Sequence, residues 1–151
     1  MFRGHSERNL DPKGRLMLPP EYREEVFRHS PEGKLMLTNF DGCVVGYTLP
    51  QWAVIEEGFR RVNVLNTTLR KIQRFIIAGA VEVELDKQGR ILVPPYLRSY
   101  AKLDKDCILA GVVNKFEIWD KATFESMRKE TEDNLHADLT ALADAGFELH
   151  L

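Results

Sequence analysis

Two aspartate–arginine pairs, Asp11 with Arg15 and Asp86 with Arg90, share one spacing and one context in the chain. The first lies in LDPKGRLMLPP, which begins at Leu10, and the second in LDKQGRILVPP, which begins at Leu85. Six of the eleven positions are identical, and three more exchange one aliphatic residue for another. Ordinary residue usage would give roughly one identity. In each copy a glycine, Gly14 or Gly89, stands where a tight turn needs positive φ. The aspartate can accept hydrogen bonds from the N–H groups of such a turn. The arginine returns on the next strand, and its carboxylate neighbour would hold the guanidinium in one direction. A guanidinium so held can staple the turn as a surface ion pair, a common device worth little. Alternatively it can offer two donors to a base edge, the O6 and N7 of guanine above all.

The surroundings favour the second use. Lys13 lies in the first turn, Arg3 and Arg8 lie on the stretch leading into it, and residues 1–20 carry four bases against two acids. A hairpin tip of this kind fits the DNA major groove, which admits a two-stranded β-ribbon. Arg15 would read bases, Lys13 and Arg3 would hold phosphates, and Asp11 would orient Arg15, lowering the entropy cost of binding. Gly14 would bind DNA with them, since backbone N–H groups at the tip suit phosphates, while Asp86 and Gly89 orient the second loop. Arg90 either repeats the part of Arg15 or serves a subunit interface. A second basic cluster, Arg60, Arg61, Arg70, Lys71 and Arg74, has no acid between Phe59 and Arg74. It is either a phosphate-facing surface or a solvated helix face that meets an acidic segment of a neighbouring subunit.

The chain has 151 residues and a formal net charge of −2. That charge is unevenly spread. Residues 117–151 hold nine acids and three bases, whereas residues 1–116 hold eighteen bases and fourteen acids. A mildly basic body with an acidic tail is compatible with an anionic partner. The longest uncharged apolar run, Phe75 to Val81, is too short to span a bilayer, and the N-terminal residues do not resemble a secretory signal. Cys43 and Cys107 stand singly in strand-like stretches, as buried reduced thiols of a cytosolic protein do.

The elements that must position the two motifs recur in the same order. A strand-like stretch, FRGHSERNL or VEVEL, leads into the turn. An apolar strand, RLML or RILV, leaves it, and Pro-Pro then opens a short helix. Two strands follow, KLMLTNF with CVVGYT and CILAGV with KFEIWD. In the first half Thr48 with Gln51 fits a capping box ahead of a helix carrying Trp52, Ile55 and Phe59. A further helix is predicted from Asn66, ending at Gly79, and another after Asp120. The boundaries are residues 1–62 and 80–130 for the repeats, 63–79 for a connecting helix and 131–151 for an acidic helical tail. Each half is too small to hold a stable core alone. The class is therefore α+β: two halves sharing one core as a pseudo-twofold β-barrel flanked by helices.

Catalysis finds no support. Asp11 and Asp86 could be imagined as a shared-proton carboxylate pair, but an arginine four residues on would keep each ionised. The histidines lack metal-ligand spacing, and neither a phosphate-binding glycine loop nor a nucleophile elbow occurs. No cofactor, metal or small-molecule substrate is expected. A ring-forming scaffold or protein-interaction module without DNA remains the alternative. RNA binding lacks an aromatic signature.

At these residues the chain resembles the MraZ family, bacterial transcriptional regulators related to AbrB-type swapped-hairpin barrels. The opening MFRG, the two Asp-x-x-x-Arg motifs and FIIAGAVEVELDKQGRILVPPYLRSYA carry the resemblance. It implies two AbrB-like repeats in one chain and a homo-oligomeric ring. It also implies binding of double-stranded DNA at short promoter repeats of the division and cell-wall gene cluster, in a cytoplasmic, nucleoid-associated protein. The family motif falls on Asp11, Gly14 and Arg15 and on Asp86, Gly89 and Arg90, with the family's opening basic strand on Arg3.

Overall fold

A computed structural model describes residues 1–62 and 65–151. The chain divides into two compact units, Met1–Asp120 and Lys121–Leu151. The first unit runs β1 (His5–Asn9), β2 (Arg15–Met17), α1 (Pro20–His29), β3 (Lys34–Phe40), β4 (Cys43–Thr48), α2 (Leu49–Arg60) and α3 (Thr67–Ala78). It continues with β5 (Val81–Glu84), β6 (Arg90–Leu92), α4 (Pro95–Tyr100), β7 (Asp106–Gly111) and β8 (Phe116–Asp120). The second unit is α5 (Lys121–Asp144) and the residues after it. The expected connecting helix begins at Asn63; Asn63 and Val64 lie outside the described residues, and α3 starts at Thr67. The expected boundary at 130 falls inside α5.

Local chemistry explains most boundaries. Pro20 and Pro95 open α1 and α4, where a missing N–H costs nothing. Asn66 caps α3 by accepting from the Leu69 N–H at 3.0 Å. Thr48 sits at the N-cap of α2 but makes no side-chain capping bond, so the capping box is not formed. It is almost wholly buried, and Pro50 occupies the first turn. Gly79 stands at the C-cap of α3 with an ordinary φ of −78°; what the position requires of glycine is room, because an added Cβ would collide with Asn39. α5 ends in a Schellman arrangement, with Gly146 at φ +91° and the Phe147 N–H on the Leu142 carbonyl at 3.0 Å.

Six strands form one antiparallel sheet in the order β1-β7-β8-β4-β3-β5, and β2 pairs with β6 as a separate two-stranded ribbon. Exchanging the two repeats maps this order onto itself. The strand that opens each repeat pairs with the other repeat: β1 lies on β7, His5 opposite Ala110, and β5 lies on β3, Lys34 opposite Glu84. The ladders leave β1 and β5 as edges, so the sheet is open and does not close as a continuous barrel.

One core serves both halves. Leu16, Leu18, Val26, Leu35 and Leu37 from the first pack with Ile91, Val93, Leu97, Leu109 and Phe116 from the second. Phe2, Tyr22 and Phe116 form an aromatic cluster with ring centroids 5.1 to 5.9 Å apart. Edge-on pairs of this kind add about 0.5–1.5 kcal/mol each beyond area burial. The single proton of the Tyr22 hydroxyl is shared between the backbone carbonyls of Arg3 and Gly4, tying the N-terminal segment to α1.

Candidate nucleic-acid interface

Each repeated loop is a tight turn closed by its own backbone. The Gly14 N–H donates to the Asp11 carbonyl at 2.9 Å, and the Asp11 N–H to the Arg15 carbonyl at 3.0 Å. Gly89, Asp86 and Arg90 repeat the pattern at 3.0 and 2.9 Å. Gly14 at φ +85° and Gly89 at φ +82° fill the left-handed position of a glycine-bulge turn. An arginine lies close over each glycine: an added Cβ would lie 2.7 Å from Arg98 at Gly14 and 2.5 Å from Arg23 at Gly89, so either arginine would have to move aside. Each turn is thus roofed by an arginine on the short helix of the opposite repeat.

The carboxylates sit inside their turns. Asp11 Oδ1 accepts the N–H groups of Lys13 and Arg15 at 3.0 and 2.8 Å, and Oδ2 accepts Arg15 Nε at 2.5 Å. Asp86 accepts Gln88 N–H and Arg90 N–H, both at 2.9 Å, and Arg90 Nε at 2.8 Å. The backbone bond from Arg15, followed by its guanidinium, holds the Asp11 carboxyl below the ordinary aspartate range; Arg90 does the same for Asp86. Both carboxylates are ionised at neutral pH, which excludes the shared-proton pair.

The turns do not project as two separate hairpins. β1 and β2 pair with different partners, so the ribbon expected between them is replaced by β2 against β6, one strand from each repeat. The Leu18 N–H donates to the Gly89 carbonyl at 3.0 Å and the Val93 N–H to the Gly14 carbonyl at 2.9 Å, drawing both turns together. Arg90 Nη1 consequently lies 3.9 Å from Asp11 Oδ2, so Asp11, Arg15, Asp86 and Arg90 form one ladder of alternating charge. On the ribbon Leu16 and Ile91 face inward, fully buried and directly opposite each other. Arg15 and Arg90 face outward, with 31% and 26% of their side chains exposed.

Lys13 is exposed beside this ladder, and Gly14 and Gly89 lie beneath it. Arg3 is elsewhere. It is exposed at the opposite end of β1, eight residues before Asp11, up to about 25 Å away at strand rise. Three features escaped the sequence reading. Gln88 accepts from Arg90 Nη2 at 3.1 Å. Lys87 is exposed in the second turn, shifted one place from Lys13 by the exchange of PK for KQ. Arg23 and Arg98 roof the turns; their matching places after each Pro-Pro were the available signal. Among the described residues no cluster of histidine, cysteine or acidic side chains fits a metal ion, and no helix is long and apolar enough to cross a membrane.

Known proteins were compared with this chain. A family model described as "MraZ protein, putative antitoxin-like" matches twice, over residues 1–75 and 76–145. A transcriptional regulator MraZ of Solidesulfovibrio magneticus is 59% identical over 150 residues, covering 99% of either chain. The protein of the same name from Maridesulfovibrio salexigens is 49% identical, covering 98% of this chain and 97% of its own. That of Pseudomonas aeruginosa is 42% identical, covering 97% and 93%. With two copies of the family's repeat and relatives alike over their whole length, named as transcriptional regulators and not as enzymes, this chain belongs to the MraZ family.

Proposed function

We propose that the protein is a sequence-specific transcriptional regulator whose β2–β6 ribbon enters the major groove of double-stranded DNA. The observation that carries this reading is the outward ladder of Asp11, Arg15, Asp86 and Arg90 on a two-stranded ribbon. A ribbon of that width fits the groove, and an arginine held by its Nε presents both terminal nitrogens to guanine O6 and N7. Arg15 and Arg90 read bases, Lys13 holds a phosphate, Asp11 and Asp86 orient the arginines, and Gly14 and Gly89 shape the turns. Arg3 reaches a phosphate only when the duplex runs along β1.

The spans 1–62 and 80–130 are taken as the two repeats of the reading module and 63–79 as their connection; the boundary at 130 is the one that moves, since the first compact unit ends at Asp120. The target is a set of short promoter repeats of the division and cell-wall gene cluster, read in the cytoplasm at the nucleoid. One ribbon makes few contacts, so useful affinity comes from several ribbons on a homo-oligomeric ring, matched to repeated sites. Exposed Ile72 and Phe75 on α3, beside Lys71 and Arg74, supply surface for such assembly. The acidic segment 131–151 keeps DNA off other faces; its deletion should raise non-specific binding.

Footprinting on DNA upstream of the protein's own gene tests the reading. Protected, regularly spaced repeats and a steep loss of affinity with salt are expected. A protein that shows no protection at low salt, or assembles into rings without binding DNA, would establish the scaffold alternative instead.

A further inference from the structure

The outward face of the ribbon carries two apolar side chains as well as two arginines. Met17 is 38% exposed and Leu92 is 50% exposed, although each has a fully buried neighbour, Leu16 or Ile91, one residue before it. The register sets them in a diagonal pattern: Leu92 stands directly opposite Arg15, and Met17 directly opposite Arg90. Alternation along each strand puts all four side chains on one face, with Leu16 and Ile91 on the other. Every arginine of the ladder therefore has an exposed apolar partner across the ribbon. Directly opposed residues have Cβ atoms about 5 Å apart.

Two cationic neighbours make this an unfavourable place for an apolar protein partner, which would have to cover both guanidinium groups. The DNA major groove offers the matching chemistry. Its floor has one apolar group, the C5-methyl of thymine, beside the acceptors that arginine uses on guanine. Successive bases on a strand lie about 3.4 Å apart, so an arginine and its cross-strand apolar partner reach adjacent steps. We infer that Met17 and Leu92 form two methyl-reading subsites, each selecting a thymine next to the guanine contacted by the arginine opposite. Met17 supplies a flexible thioether chain and Leu92 a branched one, so the two subsites differ in tolerance. This inference rests on the DNA-reading role proposed for the ribbon and adds a base identity to it.

The test is a binding titration with the full-length protein on the duplex upstream of its own gene, prepared with thymine or with uracil throughout. Uracil keeps every hydrogen-bonding group of thymine and lacks the methyl. The native protein should bind the uracil duplex more weakly, by about four-fold for each methyl buried per ribbon. Met17→Ala and Leu92→Ala should each bind the thymine duplex more weakly and lose part of that discrimination; the double variant should treat both duplexes alike. Arg15→Ala serves as the control for the underlying reading. Equal affinity of the native protein for both duplexes, with Arg15→Ala still impaired, would overturn the methyl subsites and leave the ribbon's role standing. Discrimination that persists undiminished in the double variant would also overturn them, since it would arise from duplex shape. A native protein that binds neither duplex would overturn both readings.

Discussion

The two arginines of the ladder are not equally available, and this sets up a quantitative prediction. Among the described residues Arg15 has one side-chain partner, Asp11, through Nε, and no second side chain holds its terminal nitrogens. Arg90 is held at three places: Nε by Asp86, Nη2 by Gln88 at 3.1 Å, and Nη1 by Asp11 at 3.9 Å. A bidentate guanine contact is worth about 1–3 kcal/mol, or about 5- to 150-fold in Kd. Arg15→Ala loses all of that. Arg90 must first release Gln88, a net cost of about 0.5–1.5 kcal/mol. Arg90→Ala should therefore weaken binding about two- to tenfold less than Arg15→Ala. Gln88→Ala should tighten binding by about the same factor, through Arg90 alone. Fluorescence anisotropy at fixed salt measures all three variants, with thermal melting as the control, because exposed ion pairs contribute little to stability. The reasoning fails if Arg90→Ala costs as much as Arg15→Ala, or if Gln88→Ala weakens binding.

Strong acid should remove the stabilisation that the turn carboxylates supply. Asp11 and Asp86 have depressed folded-state pKa values, so their stabilisation is complete above the unfolded value of about 3.9 and is lost as pH falls through the folded one. Melting temperatures of the native protein and an Asp11→Asn, Asp86→Asn variant should accordingly differ at pH 7 and converge toward pH 2. Gly46→Ala should lower stability by about 1–3 kcal/mol in urea titration. Gly46 faces Phe116 across the β4–β8 ladder, and the fully buried ring lies where the new methyl would go. Cys43 and Cys107 are fully buried, and burial pushes both thiols up, Cys107 to about 11. A thiol reagent at pH 8 should modify neither in the folded protein and both in urea, with single-variant proteins assigning the two sites.

What could be read from the residues alone was whatever depends on near neighbours. The turns were legible because Asp, Gly and Arg act on each other within four residues, and Pro-Pro announced α1 and α4 for the same reason. The helix starting after Asn66 was likewise a matter of one side chain and one N–H. Pairing was not legible. The alternation of VEVE marks β5 as a strand without naming its partner, the polar HSERN of β1 carries no such pattern, and an antiparallel hairpin between sequential strands is the economical assumption that the swapped ladders overturn. That exchange also explains why the ladder of four charges was missed, since it exists only where β2 meets β6. Thr48 looked like a cap by spacing, but burial in the core decided its role. Arg3 was grouped with the first turn by proximity in sequence, and strand length separates them.

The exchanged edge strands have a consequence for how the molecule is made. His5 finds its place opposite Ala110, so the first strand of the nascent chain has no partner until more than a hundred further residues have left the ribosome. At about 5–20 residues per second this is a wait of roughly 5–20 s, long beside the microseconds in which a hairpin closes. During that interval β3 and β4 can pair while β1 is a loose polar thread, and its HSERN sequence suits it to waiting in water without sticking. The N-terminus is thus synthesised early and fastened late.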